Sequence, residues 1–271
     1  MGCSPLRLGR SSVPDAGDPR PDLGRRLVVV SPHLDDAVLS VWTALRGHGD
    51  ATVLTCFAGE PPVGAAVSAW DRQGGATSAG ERVRVRRAED RAVLRTLGVT
   101  AVHLDHLDAP YRDPDDDVVL ERLTDTLRPH LREADVVLAP LGLGGHPDHV
   151  TAGRAALAAA PAGSVQLYAD LPYASRWGWP RWVQHGRSQP RFQLRPVRGR
   201  GGSKEPGLVW RRVLADARVG DTVVRRLDDG ELAGKREALA GYTTEAPSLG
   251  LDRRVGGEDV LRYEVRWEVR R

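Results

Sequence analysis

The sequence predicts an α/β fold: a doubly wound, mostly parallel, Rossmann-like sheet with a less regular C-terminal lid or subdomain. Two observations carry this. Short β-branched runs without helical period, residues 27–31 (LVVVS), 51–58 (ATVLTCFA) and 135–140 (DVVLAP), read as strands buried on both faces. Helical segments alternate with such runs from Leu27 to Ala169. That alternation builds a parallel sheet with right-handed crossovers.

The elements follow in order. Residues 37–46 read as a helix stopped by Gly47 and Gly49. After the second strand, residues 59–79 read as a loop holding Trp70, Asp71 and Arg72. Residues 81–97 are amphipathic: Val83, Val85, Ala88, Ala92, Val93 and Leu97 roughly follow the helical period, and Gly98 suits the C-terminal cap. A strand at 100–104 is followed by a helix at 118–131, with Asp115, Asp116 and Asp117 at its positive end. The strand at 135–140 leads to a helix at 147–160 and a strand at 165–169. Beyond that the pattern weakens. Residues 208–219 and 260–269 look strand-like, and 230–240 look helical. This gives one domain over 26–271, with a Rossmann-like core at 26–174 and an extension at 175–271. Residues 1–25, rich in Gly, Pro, Ser, Arg and Asp, read as a mobile leader without the apolar stretch of a signal peptide.

Composition excludes some functions. The net charge of +3 comes from Arg, with only Lys204 and Lys235 as lysines. The arginines are interleaved with Asp and Glu, so no nucleic-acid surface is expected. No apolar run of about 18 residues exists, so no membrane span is expected. Cys3 and Cys56 are the two cysteines. They build neither a disulfide framework nor a thiolate metal knot, and a reducing cytoplasm is the default. Any metal site must use His and carboxylates. Whether the chain forms a homo-oligomer stays open.

Two motifs carry chemistry. Ser31-Pro32-His33-Leu34-Asp35-Asp36 follows the first strand, and Gly144-Gly145-His146-Pro147-Asp148-His149 follows the fourth. In doubly wound sheets, ligands bind beyond the carboxyl ends of strands, where the strand order reverses. Strands one and four usually meet at that point, so the two motifs face one crevice. His33 and Asp36, at i and i+3, can bind one ion, and His149 can complete a three-ligand zinc set. Asp35 can take a proton from water without binding the metal. His146 is placed to stabilise an oxyanion or protonate a leaving amine. Asp148 can orient an imidazole. Taken singly, each motif also suits a helix start: Pro147 and Asp148 fit a cap, and Asp35-Asp36 complements the helix dipole. His48, His103, His106, His130 and His185 carry no such pattern. His48, His130 and His185 read as solvated.

On these motifs the chain resembles the PIG-L/LmbE-like N-acetylglucosaminyl deacetylases. That family has His-Pro-Asp-Asp-Glu after strand one and His-x-Asp-His after strand four, and the likeness spans about residues 27–174. Leu34 stands in place of its Pro, and Ala37 in place of its Glu. The resemblance implies a zinc-dependent hydrolase, with one Zn2+ per chain, that removes an N-acetyl group from an amino sugar or similar small polar substrate. It implies His33, Asp36 and His149 as ligands, Asp35 as general base, and His146 as stabiliser of the tetrahedral intermediate with Asp148 as its support. It also implies Arg86 and Asp108 as substrate-binding residues. The plainer readings are a solvated helix face for Arg86 and a turn before Ala109-Pro110 for Asp108. Tyr173, after the fifth strand, can donate to the oxyanion or serve structure. Trp177, Trp179 and Trp182 suit a sugar platform or lid packing. The alternatives are a zinc amidase acting on a non-sugar N-acyl amine and a non-catalytic Rossmann-like binding module. Against the module, the first strand–helix turn lacks G-x-G-x-x-G.

Overall fold

The computed structural model describes residues 23–113, 118–177, 179–186, 210–214 and 217–270. A seven-stranded sheet forms the centre, in the order β3-β2-β1-β4-β5-β9-β6. Strands β1 (Leu27–Ser31), β2 (Ala51–Thr55), β3 (Thr100–His103), β4 (Val136–Pro140) and β5 (Val165–Tyr168) are parallel. The order reverses between β1 and β4, which pair with Leu27 opposite Val136. Every residue of β1 is buried, as its unbroken LVVVS run requires.

The helices follow from the crossovers. Helix α1 (Asp36–Leu45) leads from β1 to β2. A short helix α2 (Ala69–Gln73), capped by the Ser68 side chain, interrupts the loop expected at 59–79. Helix α3 (Ala79–Thr96) begins where the Ser78 side chain accepts the Glu81 N–H and ends before Gly98 at φ +73°, as its cap predicts. Helix α4 (Val119–Leu131) leads to β4, and α5 (Pro147–Ala159) to β5. Right-handed crossovers running in opposite directions from the β1/β4 boundary place α1 and α3 on one face of the sheet and α4 and α5 on the other. The packing agrees, since α4 lies against α5.

The C-terminal part departs from the expected lid. A short helix α6 (Arg181–Gln184) precedes α7 (Arg211–Leu214), which falls inside the run read as a strand at 208–219. Trp210, Val213 and Leu214 are buried at helical spacing, and α7 packs on α5. The strand of that region, β6 (Arg218–Arg226), starts later. Helix α8 (Asp229–Ala240) opens with a capping box between Asp228 and Glu231 and packs on α1 and α3. After α9 (Ala246–Leu249) and the two-residue strands β7 (Arg254–Val255) and β8 (Glu258–Asp259), the chain makes a turn at Val260–Arg262 and enters β9 (Tyr263–Arg270). Strand β9 runs antiparallel between β5 and β6, with Trp267 fully buried. Among the described residues the extension therefore widens the central sheet. Its strands carry buried Tyr263, Val265 and Trp267, which need a sheet neighbour to exclude water.

Three local features complete the fold. Trp179 and Trp182 are core residues, edge-on to each other, with Trp182 stacked on Trp267 at 6.0 Å, so neither is a sugar platform. His103 is buried, with Nε2 2.8 Å from Asp90 Oδ2. Of the leader, residues 1–22 lie outside the described residues. Leu23 is buried, and Arg25 and Arg26 donate their backbone N–H groups to Asp135 Oδ2, both at 2.9 Å.

Candidate active site

The end of β1 and the start of α1 bring His33, Asp35 and Asp36 to the switch point, and the start of α5 brings His146, Asp148 and His149 beside them. Asp36 Oδ2 lies between two imidazoles, 3.2 Å from His33 Nδ1 and 3.3 Å from His149 Nε2. Three ligand atoms, one from each of these residues, lie within 4.8 Å of one another. A tetrahedral ion with bonds of about 2.0–2.1 Å spaces its ligand atoms by roughly 3.3 Å, so this set fits a metal such as zinc. His149 Nε2 is fully buried with no hydrogen-bond partner, an orphan that a bound cation would satisfy.

The outer nitrogens are held by carboxylates. Asp148 Oδ2 is 3.1 Å from His33 Nε2, and Asp170 Oδ1 is 2.7 Å from His149 Nδ1. Such partners fix the tautomer and aim the inner nitrogen at the ion. Asp148 is itself anchored by the Ala109 N–H at 3.1 Å and by the Arg112 guanidinium. Its expected partnership with the His146 ring is not what forms, because Asp148 Oδ2 lies 4.0 Å from His146 Nδ1. His146 Nδ1 instead accepts the backbone N–H of Asp148 at 3.2 Å, as the cap of α5. The carboxylate turns to His33, whose Nε2 is the nearer nitrogen. His33, His146 and Asp148 form a second possible metal group, but it shares His33 and its carboxylate is already committed to Arg112.

Charges in the crevice are strongly perturbed. Burial, then the adjacent charge of Asp36, pushes the Asp35 carboxyl up to about 8. A carboxyl so tuned can take and return a proton near neutral pH. Burial opposes ionisation of Asp36, but His149 and His33 outweigh it and hold the carboxyl low. Burial also opposes charge on His149, but Asp36 and Asp170 raise it to about 9. Burial, with the neighbouring His33 and His149, drives His146 down to about 3 and keeps that ring neutral.

The substrate residues divide. Asp108 sits at the crevice with its side chain 23% exposed, 3.5 Å from His33 Nε2. The Tyr173 ring lies 5.0 Å from that of His149, and it packs on Gly144, where φ is +89° and a Cβ would come within 2.8 Å of the ring. Arg86 is not on a solvated face. Its side chain is 11% exposed and paired with Glu245 at 3.1 Å and Asp71 at 3.8 Å. Asp170, Arg112 and Glu245 escaped sequence reasoning. Only Asp170 left a signal, as a carboxylate directly after the fifth strand.

A doubly wound sheet with a buried His/Asp/His set at its switch point, flanked by a tuned carboxyl and a neutral imidazole, defines a metal-assisted hydrolase. The family model described as PIG-L, GlcNAc-PI de-N-acetylase, matches residues 28–160, and the chain belongs to that family of N-deacetylases. It is 34% identical over 197 residues to a 2'-N-acetylparomamine deacetylase of Streptomyces fradiae, covering 62% of this chain and 67% of the relative. Among solved structures it resembles the A40926 pseudoaglycone deacetylase Dbv21 (27% identity, TM-score 0.62). It also resembles the zinc-inhibited form of teicoplanin deacetylase Orf2 (25% identity, TM-score 0.65). In both cases 91% of this chain and 98% of the other are covered.

Proposed function

We propose that the chain hydrolyses the N-acyl group, acetyl in the simplest case, of an amino sugar carried on a small molecule, with zinc held by His33, Asp36 and His149. The observation that carries this is the Asp36 carboxylate set between His33 Nδ1 and His149 Nε2, with Asp35 and His146 beside it. The relatives' names support the substrate class, since they are deacetylases of 2'-N-acetylparomamine, of the A40926 pseudoaglycone and of teicoplanin.

A zinc ion at this site supplies Lewis acidity and lowers the pKa of an adjacent water. Asp35 accepts the proton of the attacking water. His146, with Nδ1 engaged by the Asp148 N–H, carries its own proton on Nε2 and donates a hydrogen bond from it to the developing oxyanion. When the C–N bond breaks, Asp35 returns its proton to the leaving amine, and the acid and amine so formed exchange the remaining water proton to leave a carboxylate and an ammonium. Asp108 accepts sugar hydroxyls, Tyr173 closes the wall beside His149, and Arg86 donates to substrate oxygens. Among the described residues no helix is long and apolar enough to cross a membrane. We place the reaction in the cytoplasm.

The test is metal content beside acetate release from a panel of N-acetyl amino sugars, for the wild type and His149→Ala. The expected result is about one zinc per chain, with release lost in the variant. Metal binding without release from any sugar would overturn the substrate class. A chain that takes up no metal would overturn the hydrolase mechanism.

A further inference from the structure

Glu245 lies outside the stretch matched by the family model, yet it reaches the crevice. It caps α9, and its side chain is only 5% exposed. Oε1 is 3.1 Å from Arg86 Nε, and Oε2 accepts the Trp70 indole N–H at 2.7 Å. On the other side of Arg86, Asp71 Oδ1 is 3.8 Å from Nη1. Asp71 Oδ2 accepts hydrogen bonds from Ser68 Oγ at 2.7 Å and Tyr111 Oη at 2.9 Å. Both carboxylates are thus held independently of the guanidinium they flank.

The carboxylates of Glu245, Asp35, Asp108 and Asp71 together hold the buried Arg86 guanidinium charged, and Glu245 and Asp71 pair with it directly, so its charge is already compensated. The other guanidinium at the crevice, Arg112, is bound to Asp148 and lies over the Phe57 ring at 4.7 Å. Lys235 is buried against Glu264 at 2.9 Å, and Lys204 lies outside the described residues. Phosphate and carboxylate ligands are held by uncompensated Arg or Lys. At this crevice such a group would meet Asp108 and Glu245, and neither Arg86 nor Arg112 is free to offset them. A hydroxyl or an ammonium meets no such penalty.

We infer that Glu245, by occupying the charge of Arg86, makes the crevice select uncharged or cationic N-acyl amino sugars over phosphorylated ones. The inference rests on the deacylase reading above. Glu245 acts through Arg86 and is a specificity-determining, positioning residue.

The test compares kcat/KM for N-acetylglucosamine and N-acetylglucosamine 6-phosphate in the wild type, Glu245→Gln and Glu245→Gln/Arg86→Gln. Gln keeps an oxygen for the Trp70 N–H and removes only the charge. The wild type should prefer the uncharged sugar about tenfold or more, and Glu245→Gln should cut that preference by about tenfold, through KM of the phosphorylated sugar. The double variant, lacking the freed cation, should regain the preference. A wild type that prefers the phosphorylated sugar, or a ratio that Glu245→Gln does not move, overturns the inference. Should Glu245→Gln fail to fold, Asp71→Asn removes the second compensating charge and is expected to act in the same direction. Failure of both sugars to react would count against the deacylase reading alone. The inference is then decided by inorganic phosphate, which should raise the melting temperature of Glu245→Gln and leave the wild type unmoved. Equal response of the two proteins overturns it.

Discussion

His149 Nδ1 lies 2.7 Å from Asp170 Oδ1, and Oδ2 of the same carboxylate accepts the Leu143 N–H at 2.9 Å. Asp170 thereby joins the end of β5 to the loop after β4 and engages Nδ1 of His149. With Nδ1–H directed at the carboxylate, Nε2 is the nitrogen aimed at Asp36 and His33, and a metal bound there would take its lone pair. An amide in place of this carboxylate keeps one acceptor but lowers the basicity of the ring and weakens its orientation. Asp170→Asn is expected to lose about 10–100-fold in zinc affinity, read by chelator competition, with an unchanged circular dichroism spectrum. Unaltered affinity would show that Asp170 serves the β4–β5 connection alone.

Asp35 is 5% exposed and directly precedes Asp36, a proposed metal ligand. As a proton carrier outside the ligand set, it should be separable from metal binding. Asp35→Asn should lower kcat by about 10²–10⁴ while zinc content stays at the wild-type level. Loss of zinc together with activity would make Asp35 a ligand.

His146 has two roles that substitutions can pull apart. As the cap of α5 its ring accepts the Asp148 N–H, and in the proposed reaction it is the neutral donor to the oxyanion. Asn retains a capping acceptor without an imidazole, and Ala retains neither. Both His146→Asn and His146→Ala should lose about 10²–10³ in kcat. Only His146→Ala should also lose about 1 kcal/mol in denaturant unfolding. Full activity in His146→Asn would leave His146 as a cap and nothing more.

The legible part of the molecule is the part built from local signals. LVVVS and DVVLAP are β-branched, unbroken and short, so they read as buried strands, and the motifs after them land at the switch point because chain order fixes it. The motif alone lets Asp148 orient an imidazole, and the family resemblance implies that the imidazole is that of His146. The structure spends its carboxylate on His33, which β1 delivers from far along the chain. Arg86 looked solvated because its helix is charged on most sides, and only the return of the chain at Glu245 buries it. In the extension the helix at 230–240 and the strand at 260–269 are legible as α8 and β9, but their place in the fold is not. Strand β9 pairs with β5, about a hundred residues earlier, and such long-range pairing leaves no local trace.

Lys235 on α8 and Glu264 on β9 form an ion pair at 2.9 Å, with side chains 0% and 3% exposed. Glu264 also accepts the Thr43 N–H at 3.1 Å and the Thr43 hydroxyl, so one carboxylate ties α8, α1 and the added strand together. Removing one member of a buried pair leaves the other charged in an apolar place, at a cost of about 3–5 kcal/mol. Lys235→Met should therefore lower unfolding stability by that amount, because the orphaned Glu264 keeps only its bonds from Thr43. Adding Glu264→Gln removes the orphaned charge while retaining an acceptor for Thr43, and should recover most of the loss. Recovery in the double variant is the decisive reading, since simple loss of Lys235 packing would persist in it. Equal destabilisation of the single and double variants would assign Lys235 to packing and leave its charge without a role.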